Sequence, residues 1–303
     1  MEAFPTRMLL ATDGSEDAGR AALAAVDISK RTGSELHVVH VLPQFPRYAY
    51  PGITPEIYSH VLDRTLREAR DLLDEQAKRI EDGGGRVAQT HTRRGSAADE
   101  ILDLAEELRA GLIVVGSRGL GRVKHLILGS VSEGVVHGGA SCPVLVMRGG
   151  PDAWPPQRVV LGDDGSEIAK SAGELATRIG QLLDAKVLLM RAYPRLPEID
   201  TEGRGFDARM IDDELRQEER VLEERAAEIA NASGTTRPSI GISTGSPADA
   251  LLAVAEEGTP ERTLVAVGSR GLEVTQRIRL GSVSTKVLHA AKGPVLVYPR
   301  PKI

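Results

Sequence analysis

Two stretches of this chain have the residue types and spacing to hold an anion. The segment GSRGLGRVKHLILGS, starting at Gly116, returns as GSRGLEVTQRIRLGS from Gly268. Both follow the pattern G-x2-G-x9-G-S, with Gly116, Gly119, Gly129 and Ser130 in the first copy and Gly268, Gly271, Gly281 and Ser282 in the second. Glycine admits positive φ and carries no side chain to keep a phosphate from the backbone. Ser130 and Ser282 stand where a helix would begin, able to accept its orphan N–H groups or to donate a hydroxyl to an oxyanion. A helix N-terminus adds partial positive charge and open donors. The chemistry on offer is a phosphate cradle, one per copy. A tight connection before a capped helix is the alternative for any single instance. Recurrence at matching spacing, each time after an apolar strand, favours the cradle.

Other chemistries fit less well. There is no G-x4-G-K-[ST] loop, and GSRGLG lacks the G-x-G-x-x-G order of a dinucleotide site. TDGS and DDGS resemble the D-x-D-G of phosphotransferases, but the nucleophile positions hold Ala11 and Gly162. Phosphoryl transfer needs a positioned nucleophile and a metal-holding acid; Asp13 and Asp164 are present without a dedicated base, so little turnover is expected. His37 and His40, three apart on one strand, point to opposite faces and make no simple metal pair. No metal site and no catalytic residue is assigned. His137 and His289 correspond between the copies and fall near helix C-termini, where a dipole contact explains them. Arg118 and Arg270, inside the phrase, face either phosphate or water.

These residues need elements to position them. In the first half, RMLLATD reads as a strand ending in a turn, and residues 16–32 carry Ala18, Ala21, Ala22, Ala25 and Ile28 at helical spacing. LHVVHVL is a second strand; residues 56–82 form a long helix closed by glycines at 83–85; VAQTHT is a third strand. Ser96 and Asp99 form a capping-box start for a helix presenting Ile101, Leu104, Ala105 and Leu108 on one face. LIVVG is a fourth strand, continuously apolar as one covered on both faces should be. A helix from about Val131 and the strand PVLVM follow. Strands separated by helices of this length predict an α/β parallel sheet with right-handed crossovers. In such sheets ligands bind beyond the carboxyl ends of the strands, where the winding reverses. Asp13, at the end of strand one, and Gly116, at the end of strand four, meet there.

The whole unit is duplicated. LLATDGSEDA returns as VLGDDGSEIA, RRGSAADEIL as STGSPADALL, and CPVLVMR as GPVLVYP, at offsets of 150 to 152 residues. The expected organisation is a first domain over 1–149, a linker over 150–157 rich in proline and glycine, and a second domain over 158–303. At 303 residues the chain is long enough for two cores, with 41% hydrophobic and 27% charged residues. A net charge of −5 argues against non-specific nucleic-acid binding, and 3% aromatics against stacking on single strands. No apolar run is long enough to span a membrane, and no signal-peptide core opens the chain. The single cysteine, Cys142, suits a reducing cytoplasm.

In the early aspartates, the duplicated glycine phrase and the closing PVLV strand, the chain resembles the universal stress protein family in its tandem form, across nearly all of both halves. The resemblance implies a Rossmann-like, adenine nucleotide alpha hydrolase-like fold. It would be built as two tandem open parallel five-stranded sheets, each of order 3-2-1-4-5 with helices on both faces. It also implies ATP, with Mg2+ as accompanying cation. Carried over by position, Ala11 and Thr12 lead into Asp13, which would hold ribose, and the backbone at Val41 would meet adenine. Gly116, Ser117, Arg118, Gly119, Gly129, Ser130 and Val131 would surround the phosphates. The matching positions are Asp164, Ala192, Gly268, Ser269, Arg270, Gly271, Gly281, Ser282 and Val283. Single-domain relatives dimerise through the last strand, so the two halves are expected to pair as a pseudo-dimer, with a homodimer of chains as a further step. The protein partner is not legible.

The copies differ within the phrase. Arg122, Lys124 and His125 accompany Gly121 in the first, whereas Glu273 replaces Gly121 in the second. A carboxylate near a triphosphate repels it unless a cation intervenes, although Glu273, on a variable stretch, reads first as facing water; both sites are expected to bind ATP, the first somewhat tighter. The expected function is a nucleotide-dependent stress-response regulator. A slow ATPase and a non-nucleotide adaptor on the same fold are the alternatives.

Overall fold

The computed structural model describes residues 4–44, 54–119, 128–193, 208–269 and 280–300. The chain divides into two compact units, essentially Ala3–Trp154 and Pro155–Arg300. The first runs β1 (Arg7–Ala11), α1 (Glu16–Thr32), β2 (Glu35–Leu42), α2 (Pro55–Asp82), β3 (Val87–Arg94), α3 (Ala97–Leu108), β4 (Leu112–Gly116), α4 (Ser130–His137) and β5 (Val144–Met147). The second runs β6 (Arg158–Gly162), α5 (Glu167–Leu182), β7 (Lys186–Tyr193), α6 (Ala208–Ser233), β8 (Ser239–Thr244), α7 (Pro247–Glu256), a 3-10 turn (Pro260–Arg262), β9 (Thr263–Gly268), α8 (Ser282–Ala290) and β10 (Val295–Tyr298).

Within the first unit the strands are parallel in the order β3-β2-β1-β4-β5, and within the second β8-β7-β6-β9-β10. Each is the 3-2-1-4-5 order. Winding starts at the central strand and leaves it in both directions. Right-handed crossovers therefore put the first two helices of each unit on one face and the last two on the other.

Burial follows from composition. Leu9, Leu10, Leu112, Ile113, Val114 and Leu145 are fully buried, as strands covered on both faces require. The alanine face expected on residues 16–32 is the buried face of α1, where small side chains let the helix lie close against β4. Ser15 Oγ accepts from Ala18 N (3.2 Å), Glu16 and Asp17 occupy the first turn, and Gly33 closes the helix with φ 74°. The start of α3 departs from expectation. Ser96 is the N-cap residue, and Glu100 N donates to its carbonyl at 2.9 Å, but its side chain makes no capping bond. The acid at position 99 is aspartate, one methylene shorter than the glutamate that reaches back in a capping box.

Candidate functional site

The site grows from two turns at the carboxyl ends of β1 and β4. After Ala11 the chain is held to β2 by Thr12 N donating to Val39 O at 2.9 Å. It then turns at Gly14, with φ 79°. Ser15 N donates to Asp13 Oδ1 (3.0 Å) and Gly14 N to Thr12 Oγ1 (3.2 Å), so both side chains bond the backbone two residues on, as turn-forming side chains do. Ser15 thus orients the Asp13 carboxylate while also capping α1.

Gly116 ends β4 directly under the first turn of α1. A Cβ there would lie 2.7 Å from the Asp17 carbonyl carbon and 2.8 Å from Ala18 N. At Gly119 a Cβ would collide with Asp13 Oδ2. The glycine at 116 is therefore required by a close approach of the backbone within the chain itself, whereas at Gly119 the neighbour is the end of the Asp13 side chain. The two ends of the phrase are pinned together. Gly129 N donates to Ser117 O at 2.7 Å, and Ser132 Oγ donates to Ser117 O at 3.0 Å. Ser130 and Val131 begin α4 exposed to solvent. Residues 120–127, with Gly121, Arg122, Lys124 and His125, lie outside the described residues.

Between the turns is a cavity of about 380 Å³. From β1 and its turn it takes Ala11, Thr12 and Asp13, and from β2 Val41. The glycine phrase contributes Gly116, Arg118 and Gly119, and the start of α4 contributes Gly129, Ser130 and Val131. Ser117 is the one first-half candidate outside the lining. It is buried and its hydroxyl donates to Asp17 Oδ2 at 2.7 Å. The lining also includes His40, Ser132 and the α3 residues Ala97 and Ile101, which the motif did not single out. Ile101 was legible only as a core position; its place on the cavity wall depends on how α3 crosses the sheet. His40 Nδ1 is 2.8 Å from Thr12 O, while His37 Nδ1 lies 3.1 Å from His91 Nε2 on β3, so the two histidines of β2 serve different partners. Burial lowers the pKa of both His37 and His91, and the charge of each neighbouring arginine adds to it.

Arg118 is the cation at the cavity wall, its side chain 55% exposed. Arg148 is buried nearby; burial first, and the Arg118 charge second, hold its pKa below the ordinary range. The volume is that of a small-molecule site, since these begin near 300 Å³. Among the described residues no three histidine, cysteine or acidic side chains gather as a metal site, and no helix is long and apolar enough to cross a membrane. His137 closes α4 and its Nε2 is buried without a hydrogen-bond partner. His289 lies in the last turn of α8.

The second unit repeats the backbone of the site. Ser166 N donates to Asp164 Oδ1 (2.9 Å), Gly165 has φ 82°, and Gly281 N donates to Ser269 O (2.7 Å). Gly268 ends β9, Ala192 lies on β7, and Ser282 and Val283 open α8. Arg270, Gly271 and Glu273 are outside the described residues. The surroundings differ. Asp163, buried where the first unit has Thr12, pairs with Arg191 of β7 and, at 3.7 Å, with Arg225 of α6. Arg191 also reaches Glu218 at 3.1 Å. Burial works to lower the Arg191 pKa, but the hydrogen bonds and charges of Asp163 and Glu218 outweigh it and hold it above the usual value. Burial and Glu218 push Tyr193 up to about 12.

Both halves match the family model described as the universal stress protein family, over residues 5–148 and 156–299. The chain is similar to universal stress protein Rv2005c of Mycobacterium tuberculosis (strain ATCC 25618 / H37Rv), 26% identical over 306 residues and covering 96% of each chain. It is also similar to universal stress protein YxiE of Bacillus subtilis (strain 168), 36% identical over 147 residues, which is 47% of this chain and 98% of the relative. Among solved structures, a universal stress protein from Archaeoglobus fulgidus DSM 4304 aligns with a TM-score of 0.68 at 26% identity, covering 97% of this chain and 98% of that one.

Proposed function

The chain belongs to the universal stress protein family, and from that premise we propose that it is an adenine-nucleotide-binding regulator of a stress response. The ligand is ATP, with Mg2+ as companion ion, and it is turned over little or not at all. The observation that carries this reading is the first-unit cavity, where Asp13 and both ends of the glycine phrase converge beyond the carboxyl ends of β1 and β4. Asp13 supplies an oriented carboxylate for ribose hydroxyls, and the backbone of Val41 lies where a base edge would meet β2. Ser130 and Val131, the first residues of α4, offer N–H groups that have no intrahelical acceptor, and Arg118 adds positive charge. Asp164, Ala192, Gly268, Ser269, Gly281, Ser282 and Val283 occupy the corresponding positions in the second unit, so each unit carries one site.

Mass spectrometry of small molecules released from gently purified full-length protein, followed by a phosphate-release assay, tests this. Bound ATP with negligible release is expected. Steady release would make the protein an ATPase, and failure to bind any adenine nucleotide in calorimetry would leave the adaptor reading.

A further inference from the structure

We infer that Asp17 is a positioning residue that holds the start of the first unit's glycine phrase, Ser117 and Arg118, in its binding geometry, and that the second unit lacks this device. The inference rests on the nucleotide reading above.

Asp17 lies in the first turn of α1, where the helix dipole favours a carboxylate, and is 6% exposed. Its Oδ2 accepts from Ser117 Oγ at 2.7 Å and from Arg118 N at 3.0 Å, and Arg118 Nε approaches at 3.4 Å. Its Oδ1 pairs with Arg20. A single buried carboxylate thus ties down the first two residues after β4, about 100 positions away in the chain. Gly116 makes this reach geometrically available, because any side chain there would push α1 off the end of the strand.

The charge arrangement also suits an anion. A lone carboxylate beside a triphosphate would repel it, but Arg20 and Arg118 compensate Asp17. Arg118 is held through its Nε edge while its side chain stays largely exposed on the cavity wall. Asp17 therefore fixes Ser117 and the Arg118 backbone and aims a cation without contacting the ligand.

The counterpart of Asp17 in the second unit is Ile168, which can accept no hydrogen bond. There the Ser269 hydroxyl accepts instead from Arg300 N at 3.1 Å, past the end of β10. The two loops share a glycine pattern but are anchored from different sides. The first unit is consequently the tighter site for phosphates.

Calorimetry on the full-length chain with ATP and with adenosine separates positioning from general structure. Asp17→Ala should weaken ATP at the tighter site by about tenfold or more, the usual scale for hydrogen bonds to a charged group. Adenosine, which lacks phosphates, should change little. Asp17→Asn keeps an oxygen acceptor without the charge and should fall between. If Asp17→Ala does not fold, Ser117→Ala removes one of its partners and should weaken ATP several-fold with adenosine again unaffected. Equal weakening of both ligands, or unchanged ATP binding, would overturn the role of Asp17 while leaving the nucleotide reading intact. A wild-type chain that binds neither ligand would overturn that reading, and this inference with it.

Discussion

The two units build the same Asp-Gly-Ser turn and support it with opposite chemistry. In the first, Thr12 precedes the turn, His40 bonds its carbonyl, and Leu72 of α2 covers Gly14, where a Cβ would come within 3.1 Å of Leu72 Cδ1. In the second, Asp163 precedes the turn between Arg191 and Arg225, and Arg225 Nη2 donates to Gly165 O at 2.7 Å. One unit closes the end of its central strand with an apolar cap, the other with a buried ionic cluster. The backbone constraint belongs to the fold, and the means of meeting it does not. Since a buried ion pair is no more stabilising than well-packed apolar groups, neither solution is favoured on stability alone.

The largest expected effect breaks the ionic solution. The Asp163 side chain is 1% exposed, so Asp163→Ala removes the buried carboxylate shared by two arginines and leaves them only the more exposed Glu218, Glu167 and Glu228. It should cost about 3–5 kcal/mol in denaturant unfolding of the full chain. Installing the first-unit set (Asp163→Thr, Arg191→His and Arg225→Leu) should recover most of that loss. A triple variant as unstable as the single one would mean that the two solutions are not interchangeable.

A smaller effect concerns the entry to the last strand. Cys142 of the first unit corresponds to Gly293 of the second, and the repeat offset grows by two residues ahead of β9, where the second unit forms its 3-10 turn. The carbonyls of that turn crowd Gly293. A Cβ would lie 2.7 Å from Pro260 O and 2.9 Å from Glu261 O, and closer still to Thr263 O. Gly293→Ala should destabilise by about 1–3 kcal/mol through overpacking. Cys142→Ala, at a buried position without that turn, should cost less. Equal melting-temperature losses would remove the turn as the cause.

The smallest effect is titration. His37 and His91 face each other in the first unit, beside Arg7, Glu35, Arg93 and Glu107, whereas Leu188 and Gly241 take their places in the second. Both histidines have pKa values lowered from 6.5, chiefly by burial. As pH falls through about 6.5, the unfolded chain therefore takes up protons before the folded one. The stability is fully present above that value and is lost below it, at no more than about 1.4 kcal/mol per pH unit for each proton. Urea midpoints measured from pH 7.5 to 5.5 should fall, and His37→Gln should flatten the slope. An unchanged slope would clear the pair.

Much of the fold was legible because it rests on local pattern. The run LIVVG and the helix over 16–32 match β4 and α1 residue for residue, since continuous apolarity and helical spacing are properties of neighbouring positions. The candidate site was legible in part. Asp13 and the glycine phrase were found by spacing, but Ser117 was grouped with the phosphate-facing residues, although its hydroxyl turns inward to Asp17. His37 was weighed against His40, its neighbour in sequence, when its partner is His91 on the adjoining strand.

What the sequence alone determined is the duplication, the strand and helix order, and the places where the repeated glycines fall. Repeats and periodicities are written along the chain, so they survive without coordinates. What only the tertiary structure decided is which atoms require those constraints. Gly116 is glycine because α1 crosses the end of β4, and Asp17 meets Ser117 because that crossing brings distant segments to hydrogen-bond distance. Asp163 can stay buried because two arginines from separate elements converge on it. Such pairings depend on where elements cross in space, and no local pattern encodes that.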